Sequence, residues 1–341
     1  MSEPTVTEVL ERAFAARQAL HDERHQTPMR LFNGFREGCP GLLIDLYGTT
    51  AVIHSYADPP AIGVAIVAQA QQRLLETFPW LQTIILKERA AAEEDNRRGL
   101  IVHGEKPDRR INEHGVWYAL DLMLNQDAGF YLDTRNLRRW ILDNLSDKLV
   151  LNTFAYTGSL GVAAAAAGAQ RVIHIDLNRR FLNMAKDSYT LNGLPIQRRD
   201  FMTGDFWPLT SRLRRDGAIF DCVLLDPPLF ASTPAGSFHL KTDMARLINK
   251  VRPLVADNGK LVVVNNALYV AGSAYIHTLE EVCADGYGEI SELIAISEDC
   301  AGYQATISET LAVDPAPFNH PTKIAVLTFR RKDGLKAGMK A

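Results

Sequence analysis

The stretch Leu149-Val150-Leu151-Asn152-Thr153-Phe154-Ala155-Tyr156-Thr157-Gly158, followed by the alanine-rich Leu160 to Ala167 and by Arg171-Val172-Ile173-His174-Ile175-Asp176, decides the fold. Apolar run, glycine turn, helical segment and second apolar run form a strand–turn–helix–strand unit, the building block of a mainly parallel sheet. In such sheets a ligand sits beyond the carboxyl ends of the strands. Gly158 lets the chain turn tightly there. The free N–H groups at the start of the following helix suit a carboxylate or phosphate. Asp176 stands where a carboxylate accepts from ribose hydroxyls, or where it caps the helix that begins near Asn178.

The alternation continues downstream. With Leu149 to Asn152 and Arg171 to Ile175, strands are expected at Cys222 to Leu225, Lys260 to Val264, Ile290 to Ile296 and Ile324 to Phe329. Helices are expected at Asn136 to Asn144, Leu160 to Ala167, Arg179 to Leu191 and His239 to Leu254. Arg199-Asp200-Phe201 follows the loop Gly193-Leu194-Pro195 and precedes no evident helix. Asp200 there suits an adenine amino group and Phe201 its ring; the plainer reading is a solvated loop charge. Phe220 to Phe230 is an apolar strand ending in Asp226-Pro227-Pro228-Leu229-Phe230. Two prolines block both helix and sheet, which fixes Asp226 at the mouth of the sheet. A dinucleotide site would want G-x-G-x-x-G and a P-loop would want Gly-Lys-Ser/Thr. The chain has Phe154-Ala155-Tyr156-Thr157-Gly158-Ser159-Leu160-Gly161 instead.

Upstream of residue 120 the texture differs. Residues 5–25 carry Val6, Val9, Leu10, Ala13, Phe14 and Leu20 at helical spacing. Residues 28–119 read as a small α+β domain. It has a hairpin of Leu42 to Leu46 with Thr50 to Ser55, a helix from Pro60 to about Phe78, a strand Thr83 to Leu86 and a polar loop Glu88 to Arg98. A second hairpin turns at His114-Gly115. The expected layout is a helix in 1–27, the small domain in 28–119, a Rossmann-like α/β domain in 120–332 and a tail in 333–341.

Bulk numbers narrow the class. The chain has 341 residues, a hydrophobic share of 47% and a formal charge of -3, so global charge makes no case for nucleic acid, though a local basic surface still steers a ligand. The four cysteines, Cys39, Cys222, Cys283 and Cys300, are scattered without metal-ligand spacing, so no metal is expected. Scattered thiols and the absence of an apolar core in the first residues point to the cytoplasm, with no membrane segment.

Four stretches now converge. They are Arg30 to Gly34 with Gly38 to Gly48; Gly129-Phe130-Tyr131-Leu132-Asp133-Thr134-Arg135; the Asn152 to Gly158 turn; and Asp226 to Phe230. Together they resemble the class I S-adenosylmethionine-dependent methyltransferases of bacterial large-subunit ribosomal RNA, whose members make 5-methylcytidine or 7-methylguanosine. The resemblance covers about residues 29–330. It implies S-adenosylmethionine as cofactor and ribosomal RNA as partner, and it leaves an oligomer open. It implies a pocket bordered by Phe130, Tyr131, Asp133 and Arg135, with Asn152, Phe154, Tyr156, Thr157, Gly158, Asp176, Asp200, Phe201 and Asp226 on the cofactor. Many relatives carry an N-terminal PUA domain, and about 28 residues before the matching region are too few for one.

Cytosine C5 methylation in this family uses a cysteine after the strand that follows Asp-Pro-Pro. That position reads Val264-Asn265-Asn266-Ala267. The resemblance therefore implies guanine N7, with Asp226, Pro227, Phe230 and Asn266 at the target base. A substrate that is a small molecule or a protein is the alternative. Arg97-Arg98, Arg109-Arg110, Arg138-Arg139, Arg198-Arg199 and Arg212 to Arg215 are candidate RNA contacts, or solvated faces.

Overall fold

The structure is a computed structural model and describes residues 4–308, 314 and 316–339. The chain forms two compact units, Met1–Asp133 with Ser297–Ala312 and Thr134–Ile296 with Val313–Ala341. The first division thus falls later than residue 120, and a segment from the far half of the chain returns to the first unit.

In unit 1, strands β1 (Met29–Asn33), β2 (Leu42–Tyr47), β3 (Thr50–Ser55), β4 (Thr83–Glu88) and β5 (Leu100–His103) form one sheet in that order. The β3–β4 pair is parallel and the others are antiparallel. A separate hairpin joins β6 (Arg110–Glu113) and β7 (Val116–Ala119) across the expected His114-Gly115 turn. Helix α1 (Val6–Ala16) opens with a capping box in which Thr5 Oγ1 accepts from the Glu8 amide and the Glu8 carboxylate accepts from the Thr5 amide. It buries Val9, Leu10, Ala13 and Phe14, in one core with Ala70 and Leu74 of α3 (Val64–Thr77); α2 (Gly34–Glu37) and α4 (Glu94–Arg98) are single turns.

The helix expected over residues 5–25 stops at Ala16 because Arg17 turns inward. Its fully buried guanidinium pairs with Glu37 at 2.9 Å and donates to the Ala13, Arg30 and Asp299 carbonyls. The stretch Glu88 to Arg98 is not all loop: β4 runs on to Glu88 and α4 follows. Strand β5 escaped the pattern because Leu100 and Ile101 are exposed, which removes the apolar alternation of a half-buried strand.

In unit 2, α5 (Arg135–Asn144) leads into β8 (Leu149–Thr153), α6 (Ser159–Ala166), β9 (Arg171–Asp176), α7 (Arg179–Leu191), β10 (Phe201–Thr203), α8 (Phe206–Arg215) and β11 (Phe220–Leu225). The hairpin β12 (Phe230–Thr233) and β13 (Gly236–His239) precedes α9 (Leu240–Val251), β14 (Val255–Asn265), α10 (Gly272–Cys283), β15 (Gly288–Ile294) and β16 (Lys323–Phe329). The sheet order is β10-β9-β8-β11-β14-β16-β15, parallel except for β16 and β15. The chain first steps outward from β8 to β10, then returns to β11 on the other side of β8. That reversal is the switch point at which doubly wound sheets hold ligands.

Leu151, Ile173, Val223, Leu225, Leu261, Val263 and Leu327 point into one buried cluster. Each contributes roughly 1.5–3 kcal/mol by leaving water, so the strand ends rest on a firm floor. Register aligns those ends: Thr153 pairs with Ile175 and Leu225, Thr203 with Asp176, and Leu225 with Val263. No helix among the described residues is long and apolar enough to cross a membrane.

Candidate functional site

The turn after β8 is the most contorted stretch of unit 2. Phe154, Tyr156 and Gly158 all have positive φ, at 51°, 51° and 85°. For non-glycine residues that region is costly and gathers at functional sites. Gly158 is required twice over, since a Cβ would also lie 2.4 Å from that of Ala185. Beneath the turn, Asn152 is buried with its amide nitrogen 3.4 Å from His174 Nδ1, and Thr153 Oγ1 donates to the Leu224 carbonyl at 2.8 Å. Phe154 stacks on Phe206 at 4.6 Å, and Tyr156 meets Phe181 edge-on.

Asp176, at the end of β9, ties the two turns together. One carboxylate oxygen accepts from the Tyr156 amide and the other from the Asn178 amide, both at 2.8 Å. Asn178, not Asp176, caps α7, with its side chain accepting from the Arg180 amide. Burial pushes the Asp176 carboxyl up against the pull of those two amides. Leu177, beside it, is an apolar side chain left 63% exposed.

The next strand end carries a residue that the sequence reading missed. Asp205 follows β10 and caps α8, Oδ1 accepting from the Trp207 amide at 2.8 Å. Its Oδ2 is buried with no hydrogen-bond partner among the described residues. A buried carboxylate oxygen without a donor is costly, so a ligand N–H fits there. The available signal was Gly204-Asp205 ahead of Phe206, Leu209, Thr210 and Leu213, a helix start obscured by Pro208, which the first turn tolerates.

Asp200 and Phe201 do not reach the strand ends. Asp200 accepts from Arg171, at the opposite end of β9, at 2.5 and 2.9 Å. Phe201 pairs with His174 inside the sheet and lies flat on its ring, 4.9 Å away. A helix, α8, does follow this segment after the short β10. His174 is itself wholly buried, with Nε2 3.0 Å from Tyr189 Oη, and burial holds its pKa down at about 3.

Across the switch point, β11 delivers Asp226, half-buried, then Pro227, buried, and Leu229 and Phe230, 46% and 59% exposed. The adjacent β14 delivers Asn265 and Asn266. They differ: Asn265 is buried and its Oδ1 closes the turn by accepting from the Ala267 amide at 3.0 Å, whereas Asn266 is exposed. Leu268 and Tyr269 follow, 66% and 88% exposed. Cys222 is sealed inside β11, where burial pushes its thiol well up. Cys283 lies on α10, and Cys39 and Cys300 belong to unit 1.

The Gly129 to Arg135 stretch straddles the division. Within unit 1, Phe130 packs on Tyr118 and its carbonyl accepts from Tyr47 Oη at 3.1 Å. Tyr131 donates to Asp127, and Asp133 sits in the helical turn Leu132–Thr134. In the same unit Arg30 pairs with Asp45 at 2.8 Å; burial pushes that carboxyl up, but Arg30 and His54 outweigh it and hold it at about 2. In unit 2, Arg135 opens α5 as a buried residue, not a surface charge.

Comparison with known proteins bears on the family and the fold. Residues 97–286, more than half of the chain, match the family model of S-adenosylmethionine-dependent methyltransferases. The chain is 33% identical over 228 residues to ribosomal RNA large subunit methyltransferase I of Aeromonas salmonicida, covering 66% of this chain and 57% of that protein. It is 31% identical over 265 residues to YwbD of Bacillus subtilis, a proposed ribosomal RNA large subunit methyltransferase, covering 76% of this chain and 65% of that one. It therefore spans less than two thirds of these relatives. A solved structure from Streptococcus mutans, itself of a proposed methyltransferase, has a TM-score of 0.79 at 20% identity, covering 96% of this chain and 82% of the other; it shares the fold.

Proposed function

This chain belongs to the S-adenosylmethionine-dependent methyltransferases, and we propose that it methylates guanine N7 in large-subunit ribosomal RNA, in the cytoplasm. When bound, S-adenosylmethionine supplies an electrophilic methyl group. The residues that would hold it lie along β8, β9 and β10. Asp176 keeps a lone pair on each oxygen for the ribose hydroxyls, since each accepts only one backbone amide. Asp205 Oδ2 takes the adenine amino group, which ends its isolation, and Leu177 covers a face of the ring. Asn152 and the Phe154 to Gly158 turn shape the floor. Arg135, which opens α5 in the same unit, is assigned to this ligand by resemblance because its fork suits a carboxylate.

The observation that carries the choice of atom is the pair of strand ends of β11 and β14. Among the described residues no thiol stands there. Carbon 5 of cytosine needs covalent activation before it attacks. Guanine N7 has an in-plane lone pair and no proton to lose, so the protein needs only to hold it in line. Asp226 accepts from the Watson–Crick N–H groups of an unstacked guanine, Asn266 donates to O6, and the ring rests on Phe230. Pro227 keeps the Asp226 backbone extended. Ribosomal RNA is taken from the relatives' substrate.

The test is nucleoside mass spectrometry of large-subunit RNA from cells lacking the gene, with and without a wild-type copy. The expected result is loss and restoration of one 7-methylguanosine. A change in 5-methylcytidine would overturn the choice of atom, and unchanged RNA with label entering protein or small metabolites would overturn the RNA substrate.

A further inference from the structure

We propose that unit 2 binds the backbone phosphates of its substrate RNA in a groove on the β10 edge of the sheet, through Arg179, Lys186 and Arg198; the inference rests on the RNA reading above. β10 is the outermost strand, so this edge is not covered by another. Beside it lies a cavity of about 830 Å³ lined by Arg179, Lys186, Ile196, Arg198, Phe201 and Thr203. Its lining holds cations and no carboxylate.

That charge is unusual in a chain whose formal charge is -3. Several other basic side chains of unit 2 are committed, Arg171 to Asp200, Arg212 to Asp216 and Arg252 to Asp285, while Arg214 and Arg215 are exposed on α8 away from this lining. Arg138 is buried on Thr134. Arg179 and Arg198 are exposed and take part in no ion pair among the described residues. Lys186 donates to Asn183 and lies over the Phe201 ring, 5.2 Å from its centre. Phe201 in turn lies on His174. That column holds the ammonium in place before any ligand arrives, which lowers the ordering cost of binding.

The methyl donor does not fit this groove. S-adenosylmethionine carries a net positive charge and its adenine is neutral, so clustered cations repel the one and gain nothing from the other. A polyanion fits: phosphates meet the three cations, and the sugar edge between them meets the apolar Ile196 and Phe201. Contacts of this kind fix register without reading sequence.

The test measures binding of the full chain to a fragment of large-subunit ribosomal RNA across a salt series, by fluorescence anisotropy. Each phosphate that a cation neutralises steepens the slope of log affinity against log salt by roughly 0.7 on a single strand. Combined Arg179→Gln, Lys186→Gln and Arg198→Gln should therefore flatten that slope by about 2. With cofactor present, KM for RNA should rise while kcat is kept. Arg179→Lys with Arg198→Lys should keep the wild-type slope, which separates charge loss from misfolding. An unchanged slope in the triple glutamine variant, with wild type binding RNA, overturns the groove and spares the RNA reading. Equal flattening by Arg214→Gln with Arg215→Gln on α8 also overturns it, since the charge would then act diffusely. Wild-type protein that neither binds nor methylates RNA overturns the RNA reading and the groove with it.

Discussion

Asp205 is the sharpest point at which to test the site, because its two oxygens have separable jobs. Oδ1 caps α8 and Oδ2 is buried without a donor. Asparagine keeps the capping oxygen, since Asn and Asp cap helices equally well, but replaces the charged acceptor with a weaker or mismatched group. Alanine removes both. Loss of a cap costs about 1 kcal/mol, which lowers Tm by about 2–4 °C in a domain of this size. A hydrogen bond to a charged group is worth about 1.5–3 kcal/mol, and at about 1.4 kcal/mol per decade its loss weakens binding about 10- to 140-fold. Asp205→Asn should therefore melt within a degree or so of wild type and bind S-adenosylhomocysteine at least about tenfold more weakly. Asp205→Ala should show the weak binding and the lowered Tm together. Titration calorimetry reads the affinity and a thermal melt without ligand reads the cap. If Asp205→Asn binds like wild type, the carboxylate oxygen does not face the ligand and the assignment of Asp205 to adenine fails.

Further expectations follow from the same geometry. His174 is held at about 3 by burial, against an ordinary 6.5; the unfolded chain takes up a proton that the fold refuses, so stability present above pH 6.5 is lost as pH falls, by up to about 1.4 kcal/mol per unit. His174→Gln should flatten the urea midpoint between pH 6.5 and 4.5, and parallel curves for the two proteins would refute this. Gly158→Ala combines a left-handed backbone with a clash on Ala185, and denaturant unfolding should show a loss of about 2–5 kcal/mol. Removing one partner of the buried Arg17–Glu37 pair, as in Glu37→Leu, should cost about 3–5 kcal/mol by the same measurement. Asn265→Ala should lower Tm through its lost turn bond, while Asn266→Ala should spare Tm and lower methylation of RNA; the opposite pattern would exchange their roles.

The strands of unit 2 were legible because β8, the centres of β9 and β11, and β14 from Leu261 to Val264 are buried and read as short, largely apolar runs. Arg179 to Leu191 was legible to the residue because Asn178 caps it and leucine, methionine and tyrosine line one face. What failed was short or polar. β10 is only Phe201–Thr203, too brief to show a period, so the segment read as a loop whose acid was Asp200, and Asp205, the acid that follows the strand, went unnoticed. The hairpin Phe230–His239 has a mixed, largely exposed pattern. In α10, Gly272 and Ser273 mask the start. Asn265 and Asn266 are identical in sequence and differ only in which way the turn sends each side chain, a property of the backbone after β14.

The return of Ser297–Ala312 to the first unit sets the order in which the protein is made. Arg17 donates to the Asp299 carbonyl, Arg30 to the Asp299 carboxylate and Asn33 to the Cys300 carbonyl, while Thr306 donates to Glu37. Those acceptors and that donor are translated some 160 residues after Asp133. At about 5–20 residues per second, the N-terminal sheet waits on the order of ten to thirty seconds on the ribosome with a buried arginine short of a partner. Nascent chains arrested before residue 297 should be cut by protease within β1 and α1, and chains arrested after the segment has cleared the exit tunnel should resist. The unit that is begun first is thereby held incomplete until most of the second has been made, and the second in turn waits for β16.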